Sequence, residues 1–343
     1  MKDIPNNFYN LDIYGKSSKR PYNPRGKMFG YQVLGFGSGD EFDFTKATQR
    51  GIFGFGFSGS FVGITNLVNN LGAVASDVSA VGTARRQLRA TGFGGDLAIF
   101  FGGIVSPGGN ANASRISNLV NNSGVVQSDV ANSSGSVTTK YQMGATKFGS
   151  TGQAIFAFGT NSSEANIAIS NLISNTGVVA DDTAAVSGAS TITARAGAPY
   201  GDDKGIIAYG YVDPSTNISN LISNTGVVSA DVSGVGTARV SPAAANYGTD
   251  KAIFAYGEYT NKVNLVNNSG VVASDTTASG TARSIGSGTS YGGTLAIFYG
   301  GNTDGSGRLN VSNLVDVNGS VGSDQTGVGT ARSNLGGATY SFS

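Results

Sequence analysis

The chain has 343 residues, with 22 Lys and Arg against 21 Asp and Glu, 53 glycines, and no Cys, His or Trp. A formal net charge of +1 provides no global field to draw in nucleic acid. The missing residue types exclude disulfides, thiolate or imidazole metal sites and histidine-relayed nucleophiles, so neither cofactor nor metal is expected.

Residues 1–50 differ in composition from the rest of the chain. Phe8, Tyr9, Leu11, Ile13 and Tyr14 make an apolar patch framed by Asn and Asp. Six Lys and Arg, among them Arg20 and Arg25, lie within the first 30 residues against Asp3 and Asp12. The opening MKDIPNNFYNLDIYG has no apolar core, so no secretory leader is expected. No apolar run anywhere approaches the ~18 residues of a membrane span. The stretch reads as an extended arm, either a plain tail or an anchor that docks on a partner through Phe8, Tyr9, Ile13, Tyr14, Arg20 and Arg25. Tyr31 opens YQVLGFG, a decayed version of the apolar hexamer that recurs from residue 51, so a partial extra unit over residues 25–50 stays open.

From residue 51 onward three landmarks recur six times in fixed order. The first is an apolar hexamer: GIFGFG from Gly51, AIFFGG from Ala98, AIFAFG from Ala154, GIIAYG from Gly205, AIFAYG from Ala252 and AIFYGG from Ala296. The second, NL(V/I)xNxGxV, starts at Asn66, Asn118, Asn171, Asn220, Asn264 and Asn313. The third, GTAR or a relic of it, ends at Arg85, Lys140, Arg195, Arg239, Arg283 and Arg332. The period is roughly 49 residues, in the range of propeller blades.

Each unit predicts four strands. Small residues ending in an aromatic and glycine, such as SPAAANYG from Ser241, form an inner strand. A Gly/Asp turn leads to the hexamer as second strand. The third strand lies around NLV and the fourth around GVV, joined by an Asn/Ser/Gly turn. The hexamer is apolar on both faces, which requires packing on both sides. The inner strand carries only small side chains, as expected where blades converge. The chain ends on a lone inner strand, SNLGGATYSFS from Ser333, which would complete the first unit and remove the open edge. The fold class is therefore all-β, a β-propeller of six blades over residues 51–343, or seven if residues 25–50 add one.

An aspartate precedes each repeated cation, eight residues earlier in Asp77/Arg85, Asp231/Arg239, Asp275/Arg283 and Asp324/Arg332, and farther away in Asp129/Lys140 and Asp182/Arg195. Because the pattern repeats with the fold, it reads as ion pairs fixing the loops. A cationic rim for an anionic ligand is the alternative. The loops after the hexamer vary in length and should share one face, where recognition usually resides. Phe57, Tyr211 and Tyr259 offer flat apolar surfaces there to a sugar or a protein, and Glu258 is a non-repeating acid in the same region. Glycoside hydrolysis would need two carboxylates about 5–9.5 Å apart. Most acids here are spaced by the repeat and sit in turns, while the non-repeating Glu164 and Glu258 fall in the loops after the hexamer, as does Asp304.

TAR followed by small residues and then GTDKAIFAYG from Gly248 resembles the kelch repeat, in which an arginine precedes the inner strand and an apolar strand ends in glycine. The tryptophan typical of the kelch outer strand is absent. Units with NLVxNxGVV and GTAR are also similar to those of virion proteins of tailed bacteriophages, over about residues 51–343. The resemblance implies a non-enzymatic virion structural protein, assembled in the host cytoplasm. It would be held on capsid, neck or tail by contacts of residues 1–50 with other virion proteins, with no direct nucleic-acid contact. A host glycan- or receptor-binding adhesion module is the alternative, and a glycoside hydrolase a more distant one.

Overall fold

The computed structural model describes residues 49–341 apart from 80, 107–108, 134 and 306, all within the unit Phe44–Ser343. The proposed anchor residues Phe8, Tyr9, Ile13, Tyr14, Arg20 and Arg25, and all of the suggested partial unit over 25–50 except Gln49 and Arg50, lie outside the described residues. The described chain is all-β, arranged as small antiparallel sheets.

Six sheets of three or four strands follow one another. The second runs Arg89–Phe93, Leu97–Phe101, Ser117–Val120 from its inner strand outward, and the third Gly144–Phe148, Gln153–Ala157, Ile169–Ile173, Thr183–Ala184. The fourth is Ala196–Tyr200, Lys204–Tyr211, Ser215–Ile222. The fifth is Ala243–Tyr247, Lys251–Ala255, Lys262–Val266, Thr276–Thr277. The sixth is Ser287–Tyr291, Leu295–Tyr299, Ser312–Val315. The first sheet takes its inner strand from the far end of the chain: Gly336–Tyr340 pairs antiparallel with Arg50–Gly54, which pairs with Ile64–Val68 and then Val78–Ser79. The strands expected from the small-residue segments, the hexamers and NLV all form.

The fourth strand differs from expectation. GVV supplies only a single bridge, as in Val266 with Val272, and the outer pairing comes after the aspartate, as in Val263 with Thr276. The reason is the landmark asparagine. Asn264 Nδ2 donates to Ala273 O at 3.0 Å, and the same bond recurs at Asn66, Asn118, Asn171, Asn220 and Asn313. Ala273 N still donates to Leu265 O at 2.8 Å, but its carbonyl is taken by the asparagine side chain, so the backbone pairing stops after one bridge. The turn before it is held by Asn267 Oδ1, which accepts from the backbone of Ser269 and Val271.

Second strands are buried on both faces because a core lies on each side of them. Six apolar clusters separate neighbouring sheets: Phe100 and Ile52 sit between the first and second, Phe298 and Ile253 between the fifth and sixth, and Phe53 and Ile297 between the sixth and first. Inner strands approach backbone to backbone. A Cβ on Gly337 would lie 2.7 Å from Gly288 O, and one on Gly288 would lie 2.5 Å from Ala244 O, which is why these strands are so poor in side chains.

Two sets of backbone hydrogen bonds link the inner strands at their ends. Before the strands, Asn334 N donates to Ile285 O, Ile285 N to Ser241 O, Ser241 N to Ala194 O, Arg195 N to Gln142 O, Gln142 N to Gln87 O and Gln87 N to Asn334 O. After the strands, Gly94, Gly149, Gly201, Gly248, Gly292 and Ser341 donate to Gly152, Asp203, Asp250, Thr294, Gln49 and Asp96. Ile285 sits at φ 50°, a costly conformation for a β-branched residue, so the surrounding bonds over-determine it.

Candidate functional site

Among the described residues the five repeated arginines are the largest fully buried side chains. Each leads into an inner strand and turns its guanidinium back into its own sheet. Arg85 Nε donates to Gly102 O at 2.9 Å, Nη1 to Thr83 O at 3.1 Å and Nη2 to Asn118 Oδ1 at 2.5 Å. Arg195, Arg239 and Arg332 place Nε on Tyr209 O, Tyr256 O and Phe55 O. The other face of each guanidinium covers a ring of the preceding sheet: Phe55 at 4.3 Å for Arg85, Phe158 at 4.3 Å for Arg195, Tyr209 at 4.0 Å for Arg239 and Tyr256 at 3.8 Å for Arg283. Burial is the main force on Arg195, drawing it down to about 9 against the attraction of Asp231, so it stays charged at neutral pH.

The hexamer varies at the position that supplies these rings. The ring-bearing residue before the closing glycine has positive φ (Phe55 60°, Phe158 65°, Tyr209 61°, Tyr256 62°), and the second and sixth sheets have Gly102 and Gly300 there. After Gly102 the cation that follows is Lys140, whereas after Gly300 it is still Arg332, which lies 5.4 Å from the Tyr299 ring instead. Lys140 is fully buried, its Nζ has no hydrogen-bond partner, and Asn171 Oδ1 beside the same network is also unpaired. Burial pulls the amine down to about 7, with Asp182 opposing.

The aspartates pair differently from chain order. Arg85 meets Asp129 at 3.9 Å, Arg283 meets Asp324 at 3.8 Å, and Arg332 meets Asp77 at 3.9 Å. Each aspartate therefore serves the cation that enters its own sheet, not the one eight residues downstream. It also caps the residue two before that cation: Thr83 N and Oγ1 donate to Asp129, Thr237 to Asp275, and Thr330 to Asp77 across 253 positions. Burial pushes the Asp275 carboxyl up, but the bonds from Thr237 and Asn264, with Lys262 nearby, outweigh it and hold the group at about 2. Asp77, Asp129, Asp231 and Asp324 are lowered against burial in the same way. The network is scaffold, and its cations face carbonyls and rings.

A small cavity of about 40 Å³ lies where the inner strands meet, lined by three consecutive residues from each, Thr91, Thr146, Asn246, Thr289 and Thr339 among them. Arg89 reaches past the third sheet to Arg195 O, with Nε at 3.2 Å and Nη2 at 3.0 Å, and Nη1 bonds Leu88 O at 3.1 Å.

The loops leaving the second strands gather at the end where the inner strands begin. Phe57 bridges to Ser333, Tyr211 to Thr193, Thr260 to Arg283 and Asn302 to Ser284, each at or within two residues of a repeated cation. Tyr211 and Tyr259 are 42% and 44% exposed, while Phe57 is half-buried. Glu258 has its carboxylate engaged: Ser215 Oγ donates at 3.1 Å and Val240 N at 3.2 Å, tying the fourth and fifth sheets together. The site residues that sequence reasoning missed are Phe61, Arg86 and Arg308, which surround Phe57. The signal available for Arg86 was its departure from the repeat. Among the described residues no helix is long and apolar enough to cross a membrane. No protein-family model matches the chain, and no curated protein shows significant similarity to it.

Proposed function

We propose that residues 51–343 form a six-bladed, kelch-like β-propeller closed by its C-terminal strand. In this reading the propeller is a non-enzymatic structural protein of a phage particle, carried through residues 1–50 and presenting its loop face to a protein or host-surface partner. The architecture is supported by the two circuits of inter-strand bonds, the apolar cluster between the sixth and first sheets, and the clamp of Thr330 and Arg332 on Asp77.

One contrast carries the functional reading. The repeating polar groups are consumed by the scaffold, whereas non-repeating aromatics collect at the end where loop length varies. The phage assignment rests on the resemblance of the NLVxNxGVV and GTAR units to virion proteins. Deleting residues 1–27 is expected to abolish incorporation into particles while the propeller stays folded, and normal incorporation would refute the anchoring role.

A glycan- or receptor-binding role is the second reading, favoured by the exposure of Tyr211 and Tyr259. An array of host glycans, screened with wild type and with Tyr211→Ala and Tyr259→Ala, tests it. Binding lost in the variants supports adhesion, and no binding by wild type opposes it. Hydrolysis is disfavoured by the hydrogen bonds that hold the Glu258 carboxylate. Turnover that Glu258→Gln abolishes would overturn the non-enzymatic reading.

A further inference from the structure

Side chains that build this scaffold recur from sheet to sheet, so side chains that break the pattern need another reason to be there. Arg86 follows the repeated arginine, where the other units have Tyr141, Ala196, Val240, Ser284 and Ser333. It lies at the loop end, beside Phe57 and Phe61 of the first sheet and near Arg308 of the sixth.

The Phe57 and Phe61 rings meet edge to face with centroids 5.8 Å apart. The Arg86 guanidinium lies 5.2 Å from the Phe57 centroid and 5.1 Å from that of Phe61, and Arg308 lies 4.6 Å from Phe57. Two guanidiniums thus share one ring. Among the described residues neither has a carboxylate within salt-bridge distance, unlike Arg85, Arg283 and Arg332. Arg86 Nε is buried without an acceptor. Asn302, whose backbone bridges Arg308, keeps a buried Oδ1 without a donor. Unmet buried donors and acceptors are costly, and two like charges over one ring repel each other.

A ligand suited to this cluster carries an oxyanion that offsets the paired guanidinium charge and aliphatic C–H surface for the ring edges. Guanidinium binds carboxylate through paired, charge-assisted hydrogen bonds. We propose that Arg86, Arg308, Phe57 and Phe61 form a binding site for a carboxylated saccharide, such as a uronic acid unit of an acidic glycan. The inference rests on the adhesion reading of the loop face and specifies its ligand class.

Calorimetric titration of the full chain with trigalacturonic acid, and with maltotriose as neutral control, tests it. The wild type is expected to bind trigalacturonic acid and not maltotriose, more weakly as salt rises. Arg308→Ala and Arg86→Ala should each weaken binding at least tenfold without lowering the melting temperature. Arg308→Lys should recover only part of the loss, because an ammonium lacks the planar fork. Absence of trigalacturonic acid binding by wild type, or binding unchanged in both alanine variants, overturns the proposal. If neutral glycans bind on the array while trigalacturonic acid does not, the adhesion reading survives and this site assignment fails.

Discussion

Replacing Lys140 with methionine removes the network's single lysine and its buried amine without a hydrogen-bond partner. The native amine is held near 7, against a reference value of 10.5. The unfolded chain therefore binds this proton more tightly than the native protein. Between those two values the unfolded state carries more protons, so native stability rises with pH. Each unit of pKa difference corresponds to about 1.4 kcal/mol. Applied to one group titrating near 7 when folded and near 10.5 when unfolded, linkage makes the wild type on the order of 3 kcal/mol more stable at pH 9 than at pH 6 through this residue alone. Lys140→Met, similar in length and without a charge to bury, should lose that increment and gain stability at pH 6. Urea unfolding of both proteins at pH 6, 7, 8 and 9 measures the difference, and subtraction cancels the other titrating groups. Parallel curves for the two proteins would refute the burial argument.

Arg85→Ala strands the acceptors Gly102 O, Thr83 O and Asn118 Oδ1 and uncovers Phe55, so a loss of about 3–5 kcal/mol is expected in chemical denaturation. A loss below about 1 kcal/mol would show that the guanidinium is dispensable. Gly337→Ala should cost about 1–3 kcal/mol, because its methyl would press on Gly288 O and the Phe53 ring; an unchanged melting temperature would contradict the close strand approach. Acid unfolding should follow the aspartates. Their folded-state pKa values are depressed, so their contribution is present above about pH 4 and lost as pH falls toward 2, a limb that Asp275→Asn should reduce.

Much of this arrangement could be read from the residues. The doubly apolar hexamers, the small inner strands and the C-terminal GGATY segment were legible because burial and close approach restrict residue type directly. The aspartate partners were not. Asp129 lies 11 residues before Lys140, yet it serves Arg85, since sheet pairing folds the chain back past its neighbour in sequence. The fourth strand was misplaced because a valine pair signals strand propensity, while the Asn side chain that takes the Ala273 carbonyl acts across nine residues. Glu258 looked like a loop residue free for a ligand, and only its contacts with Ser215 and Val240 assign it to holding two sheets together. Arg86 was hidden beside the repeated Arg85, although its mismatch with the other units was visible in the alignment of the six copies.

Amide hydrogen exchange across Gly336–Tyr340 and Arg50–Gly54 tests the proposed closed six-sheet arrangement most directly, since these strands come from opposite ends of the described chain. The account predicts that hydrogen-bonded amides in both strands are protected together, with an opening free energy matching that of the third and fourth sheets. Rapid, unprotected exchange at Gly336–Tyr340 while the other sheets remain protected would contradict it.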